Sequence, residues 1–64
     1  MNDREAYKKM IKECNNTINR LRSKLIKQNQ LTNRQAGYND GIRSAMSIIS
    51  SSRKALENKL KEEL

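Results

Sequence analysis

An all-α fold follows from three features of this 64-residue chain. It should be an antiparallel hairpin of two helices, coiled-coil-like, that self-associates into a four-helix bundle. Tyr7, Ile11, Cys14, Ile18, Leu21, Leu25 and Gln28 recur in a 4-3-4-3 rhythm, and all but Gln28 are apolar. A 3.5-residue period keeps one stripe of a helix facing a partner. The second feature is the complete absence of proline beside a charged fraction of 33%, a composition suited to long solvated helices. The third is size: a chain this short buries only about 60% of its unfolded surface. With one cysteine and no histidine, neither an internal disulfide nor a zinc site is available to staple it, which leaves oligomerisation.

The first helix should begin near Asn2 or Asp3, where a short polar side chain can cap free N–H groups. Asp3 and Glu5 also suit the positive end of the helix dipole. The apolar rhythm carries the helix to about residue 29, so its span is 3–29. Ala6, Met10, Thr17 and Ile26 widen the stripe, and a wide stripe favours a bundle over a bare two-stranded coiled coil.

A break is expected at Asn29-Gln30-Leu31-Thr32. Thr32 and Gln35 have the spacing of a capping box, with Leu31 and Ala36 placed as the accompanying hydrophobic staple. The second helix then spans 33–62. The competing start lies at Asn39 or Asp40, because Gly37 and Gly41 each weaken a helix by about 1 kcal/mol relative to Ala. The stripe of this helix reads Tyr38, Ile42, Ala45, Ile49, Ser52, Leu56, Leu60 and Leu64. Antiparallel pairing would bring Lys8 and Lys9 towards Glu62 and Glu63. The domain organisation is a single unit, residues 1–64.

Composition argues against catalysis. There is no histidine, and Cys14 falls inside the heptad stripe, where a small core residue is the simplest role. Asp3, Glu5, Glu57, Glu62 and Glu63 sit towards the chain ends with no paired, inward-facing arrangement. No cofactor and no metal are expected, and the chain is read as a non-enzyme. The expected oligomer and partner interface comprises Tyr7, Ile11, Cys14, Ile18, Leu21 and Leu25 of the first helix. Tyr38, Ile42, Ile49 and Leu56 complete it from the second.

Fourteen Lys/Arg oppose seven Asp/Glu, for a net charge of +7. The excess is greatest in residues 1–31, which carry eight basic and three acidic side chains. Lys9, Lys12, Arg20, Lys24 and Lys27 follow spacings near three and four, with Asn16 between. This candidate face for anions or nucleic acid could track phosphates. It lacks stacking aromatics and a glycine-rich loop, so the solvated face of a coiled coil is the simpler explanation. A membrane surface would call for Trp or Phe on the apolar side, and both are absent. No apolar run approaches the ~20 residues of a membrane span, and residues after Met1 are polar. With the lone cysteine, these features point to a cytoplasmic protein.

The segment Gly37-Tyr38-Asn39-Asp40-Gly41-Ile42-Arg43-Ser44-Ala45-Met46-Ser47-Ile48-Ile49 resembles a G-Y-N-x-G/A-I-x-x-A-x-x-I-I stretch. That stretch occurs near the end of many short, helical phage and prophage proteins of Gram-positive bacteria. The resemblance covers about a fifth of the chain and transfers no site residues. It implies a phage-encoded accessory protein, placed in the host cytoplasm, that binds a host protein and inhibits a host enzyme or defence complex. The expected partners are therefore a second copy, as a homodimer, and a host protein. RNA or DNA on the basic face is the alternative.

Overall fold

The computed structural model describes residues 3–62 and contains two helices, α1 (Asp3–Ser23) and α2 (Asn33–Glu62), packed against each other. Together they make a rod measuring 48 × 15 × 14 Å. Acidic Asp3 and Glu5 lie in the first turn of α1, and Arg20 and Arg22 in its last, both favourable against the helix dipole.

The seam on α1 is the one its periodicity predicts. Tyr7, Ile11, Cys14, Leu21 and Leu25 are half-buried, and Ile18 is buried at 6% exposure. Gln28, by contrast, is exposed, because the helix has already ended. The helix was expected to run to about residue 29 and stops at Ser23 instead. Its last turn tightens: the N–H of Lys24 donates to the Leu21 carbonyl at 3.0 Å, and that of Leu25 to Arg22 at 3.2 Å. Such i→i−3 bonds satisfy carbonyls that a terminating helix leaves open.

The physical reason for the early stop is Asn39. Its side chain is 1% exposed and bonds both backbone groups of Ile26. The Ile26 N–H donates to Asn39 Oδ1 at 2.9 Å, and Asn39 Nδ2 donates to the Ile26 carbonyl at 3.0 Å. A continuing helix would spend those two groups internally. Here the chain leaves the helix, and a side-chain amide from α2 replaces the lost partners. Leu25 and Ile26 stay half-buried, so the apolar pattern persists where the helix does not.

Residues 24–32 connect the helices, and α2 opens with a capping box. Thr32 Oγ1 accepts from the Gln35 N–H at 3.1 Å, and Gln35 Oε1 accepts from the Thr32 N–H at 3.0 Å. The Ala36 N–H closes the first turn on the Thr32 carbonyl at 2.9 Å. The helix therefore starts at Asn33 and passes through Gly37 and Gly41 without a break.

The phase of α2 differs from the predicted stripe. Its inward positions are Gln35, Asn39, Ile42, Met46, Ile49, Arg53, Leu56 and Leu60, all half-buried or buried. That set is an unbroken 4-3-4-3 seam. Tyr38 and Ser52 are exposed, and Ala45 lies only at the edge; Leu64 is outside the described residues. Asn39 and Arg53 conceal the true seam because polar residues are normally read as outward-facing. Glu62 pairs along α2, Lys59 Nζ to Glu62 Oε2 at 3.9 Å, and among the described residues neither Lys8 nor Lys9 forms an ion pair with it. Glu63 is outside the described residues.

Two predictions follow from the connector. Asn39→Ala strands both Ile26 backbone groups and should lower stability by about 2–3 kcal/mol. Chemical denaturation followed by circular dichroism reads this, together with accelerated exchange of the Ile26 amide; wild-type stability would refute the clamp. Thr32→Ala should cost about 1 kcal/mol and fray α2 up to Ala36.

Candidate interaction surfaces

The seam divides the surface of the rod into two unlike flanks. At 100° per residue, Met10 and Thr17 lie to one side of the α1 seam, and Asn15 and Arg22 to the other. On α2 the corresponding sets are Tyr38, Gly41, Ala45, Ile48 and Ser52 against Arg43, Ser47, Ser50 and Glu57.

The first flank is apolar. Met10, Cys14 and Thr17 of α1 face Ile49, Ser52 and Leu56 of α2 across an open groove of about 390 Å³. Glu13 supplies its one charged wall. Cys14 is a free thiol of intermediate exposure, so it lines this groove rather than lying sealed in the core. Met10 and Tyr38 are about half exposed, and Ile48 is 68% exposed. The row Tyr38, Gly41, Ala45, Ile48, Ser52 extends the apolar surface along α2 with alternating spacings of three and four. A Cβ added at Gly37 or Gly41 would meet nothing within 4 Å. Within one chain, neither glycine is needed for close packing.

The second flank is polar and carries a different set of residues. A smaller groove, about 260 Å³, is lined by Ile18 and Arg22 of α1 and by Arg43, Met46, Ser47, Ser50 and Arg53 of α2. Arg53 reaches across the helix pair: its Nη1 donates to Asn15 Oδ1 at 2.7 Å and its Nη2 to Ser50 Oγ at 3.4 Å. Its Nε is buried with no hydrogen-bond partner, and Glu57 Oε1 stands 3.6 Å away. The Arg53 stem fills an inward position while its head leaves the seam at the polar edge, as long basic side chains commonly do.

Of the expected interface residues, those of α1 and Ile42, Ile49 and Leu56 of α2 come together between the two helices. All but Ile18 keep part of their surface open, and Cys14, Ile49 and Leu56 still line the open groove. Tyr38 belongs to the exposed flank. The expected basic face divides: Lys9, Lys12 and Arg20 are exposed on α1, while Lys24 and Lys27 lie in the connector. They do not form one helical stripe. The convergence that the fold does create, Arg22 with Arg43 and Arg53, joins residues of two helices. Its sequence signal is a pair of arginines, Arg43 and Arg53, ten positions apart on one helix, with serines at 47 and 50 between them.

Among the described residues, no group of three His, Cys, Asp or Glu could hold a metal ion. No helix among them is long and apolar enough to cross a membrane.

Because Arg53 contributes mostly its stem to the seam, Arg53→Met should change stability by no more than about 1 kcal/mol, since exposed or half-exposed ion pairs contribute little. Arg53→Ala should cost more, by opening the seam between Ile49 and Leu56. Denaturant midpoints of the two variants check this, and equal losses would show that the guanidinium bonds, not the stem, stabilise the pair. No protein-family model, curated protein or solved structure matches the chain.

Proposed function

We propose that this protein is a non-catalytic interaction module. Two copies pair through their apolar flanks into a four-helix bundle, and the assembly acts by binding another protein. The observation that carries this reading is the shortage of enclosed surface. Ile18 is the one apolar side chain buried among the described residues, and the chain exposes 5193 Å². A compact monomer of 7.5 kDa would expose about 4200 Å². The excess, roughly 900 Å², is close to the ~800 Å² that each partner buries in a standard stable interface. The radius of gyration of 15.2 Å likewise exceeds the ~11 Å of a compact chain of this length.

The resemblance of residues 37–49 to short phage proteins extends the proposal to its biological setting. In that setting the module is a phage-type accessory protein that binds, and thereby inhibits, a protein of the host cytoplasm. A second reading is favoured by the exposed Lys9, Lys12, Arg20, Lys24 and Lys27, none of which forms an ion pair among the described residues. On that reading the bundle binds RNA or DNA.

Sedimentation of three proteins tests the pairing. The wild type should be a dimer at micromolar concentration. Ile48→Glu should give a helical monomer, because the change falls on the exposed flank. Ile18→Asp should unfold the hairpin, because it buries an unpaired charge. In the wild type, alkylation of Cys14 should slow as protein concentration rises. A monomeric, fully helical wild type with concentration-independent Cys14 reactivity would overturn the proposal. For the second reading, affinity for a short RNA should fall with salt by about 0.7–0.9 log units of K per phosphate contacted, for each log unit of salt. Exchanging Lys12, Arg20, Lys24 and Lys27 for Gln should flatten that slope.

A further inference from the structure

The polar groove has a composition that the pairing of apolar flanks leaves unused. Arg22, Arg43 and Arg53 line one space of about 260 Å³ together with Ser47 and Ser50. Three guanidiniums on one groove repel each other, and the carboxylates nearby hold them only weakly. Asp40 Oδ1 stands 3.6 Å from Arg43 Nη1, with both side chains more than half exposed. Glu57 Oε1 stands 3.6 Å from Arg53 Nε, and that Nε has no hydrogen-bond partner. Arg22 forms no ion pair among the described residues. Ser50 Oγ accepts from Arg53, which leaves its own proton free to donate.

We infer that this groove is a binding site for a phosphate group. The donor set decides the ligand class. One guanidinium fork already satisfies a carboxylate's two oxygens. The forks of Arg22 and Arg43, the Arg53 N–H groups not spent on Asn15 and Ser50, and two hydroxyls exceed that need and match a tetrahedral anion with several acceptor oxygens and up to two negative charges. The site is partly preorganised: the bond from Arg53 to Asn15 at 2.7 Å holds one guanidinium at the edge of the seam, so only Arg22 and Arg43 must be ordered on binding. The site also differs from the row Lys9, Lys12, Arg20, which presents two ammonium groups and one guanidinium along one face of α1 and lines neither groove. The inference is independent of what covers the apolar flank, since the polar groove lies on the other side of the seam.

A free phosphate, a phosphomonoester and the phosphodiester of a nucleic acid share this chemistry. The experiment titrates inorganic phosphate against chloride at matched ionic strength, reading the arginine Nε–H resonances by nuclear magnetic resonance. Saturable shifts are expected at Arg22, Arg43 and Arg53, while Arg4, Arg20 and Arg34 follow bulk salt alone. Arg22→Gln and Arg43→Gln should each weaken phosphate binding about tenfold, as expected for one charge-assisted bond, and should leave the helix content unchanged. Arg53→Met, which keeps the stem in the seam, should also weaken it. A short single-stranded oligonucleotide without terminal phosphates then identifies the source. Saturable shifts at the same three arginines assign the site to a nucleic-acid backbone, and their absence, with inorganic phosphate still bound, assigns it to free or terminal phosphate. Uniform, non-saturating shifts over all arginines with both probes would overturn the inference.

Discussion

A single layer of two helices cannot enclose a side chain on more than one side. That constraint governs the rest of this structure. Each inward residue of α1 meets α2 along one line and solvent on both edges of it, and Ile18, in the C-terminal third of α1, is the only apolar residue buried among those described. The edges therefore decide what the molecule can do. Where they are apolar they remain available to another surface, and where they are polar they must be stabilised locally. The hairpin segregates the two kinds: Met10, Cys14 and Ile49 at one edge, Arg22, Ser50 and Arg53 at the other. The rod thus carries one apolar and one cationic edge on opposite sides of its seam.

Polar residues inside the seam carry its geometry. Leucines and isoleucines tolerate sliding, because dispersion contacts are non-directional. The Asn39 amide does not, because its two bonds to Ile26 have fixed lengths and directions. It sets the phase of α2 at the first turns, and Met46, Ile49, Leu56 and Leu60 then face inward at the intervals the helix dictates. A one-residue rotation at Asn39 would instead have turned in the stripe Tyr38, Ala45, Ser52.

That alternative is the one the sequence pattern suggests, and the reason is instructive. The stripe of α1 was legible because its inward residues are apolar from Tyr7 to Leu25. The capping box was legible because Thr32 and Gln35 act on neighbours three positions away, and local hydrogen bonds are written locally. The seam of α2 was not, because Asn39 is buried by a bond to a residue thirteen positions earlier, and Arg53 takes a half-buried inward position only by virtue of a stem that outreaches its charge. The end of α1 was missed for the same reason: Leu25 and Ile26 continue the apolar rhythm, and only the demand of Asn39 for a free backbone shows that the helix has stopped. The arginine groove needed both helices in register before its members could be seen to share a space.

The Asn39–Ile26 bonds also order the assembly of the hairpin in time. They close a loop of thirteen residues, whereas the bond between Asn15 and Arg53 spans thirty-eight. Closing the longer loop first would cost about 1 kcal/mol more in chain entropy, and it would do so with α2 free to adopt either phase. Closure at Asn39 costs less and leaves one phase, after which each successive turn adds contacts whose effective separation is already short. Loop-closure entropy therefore favours pairing first at the connector end, and the far end of the rod, where α1 begins, closes the longest stretch of chain.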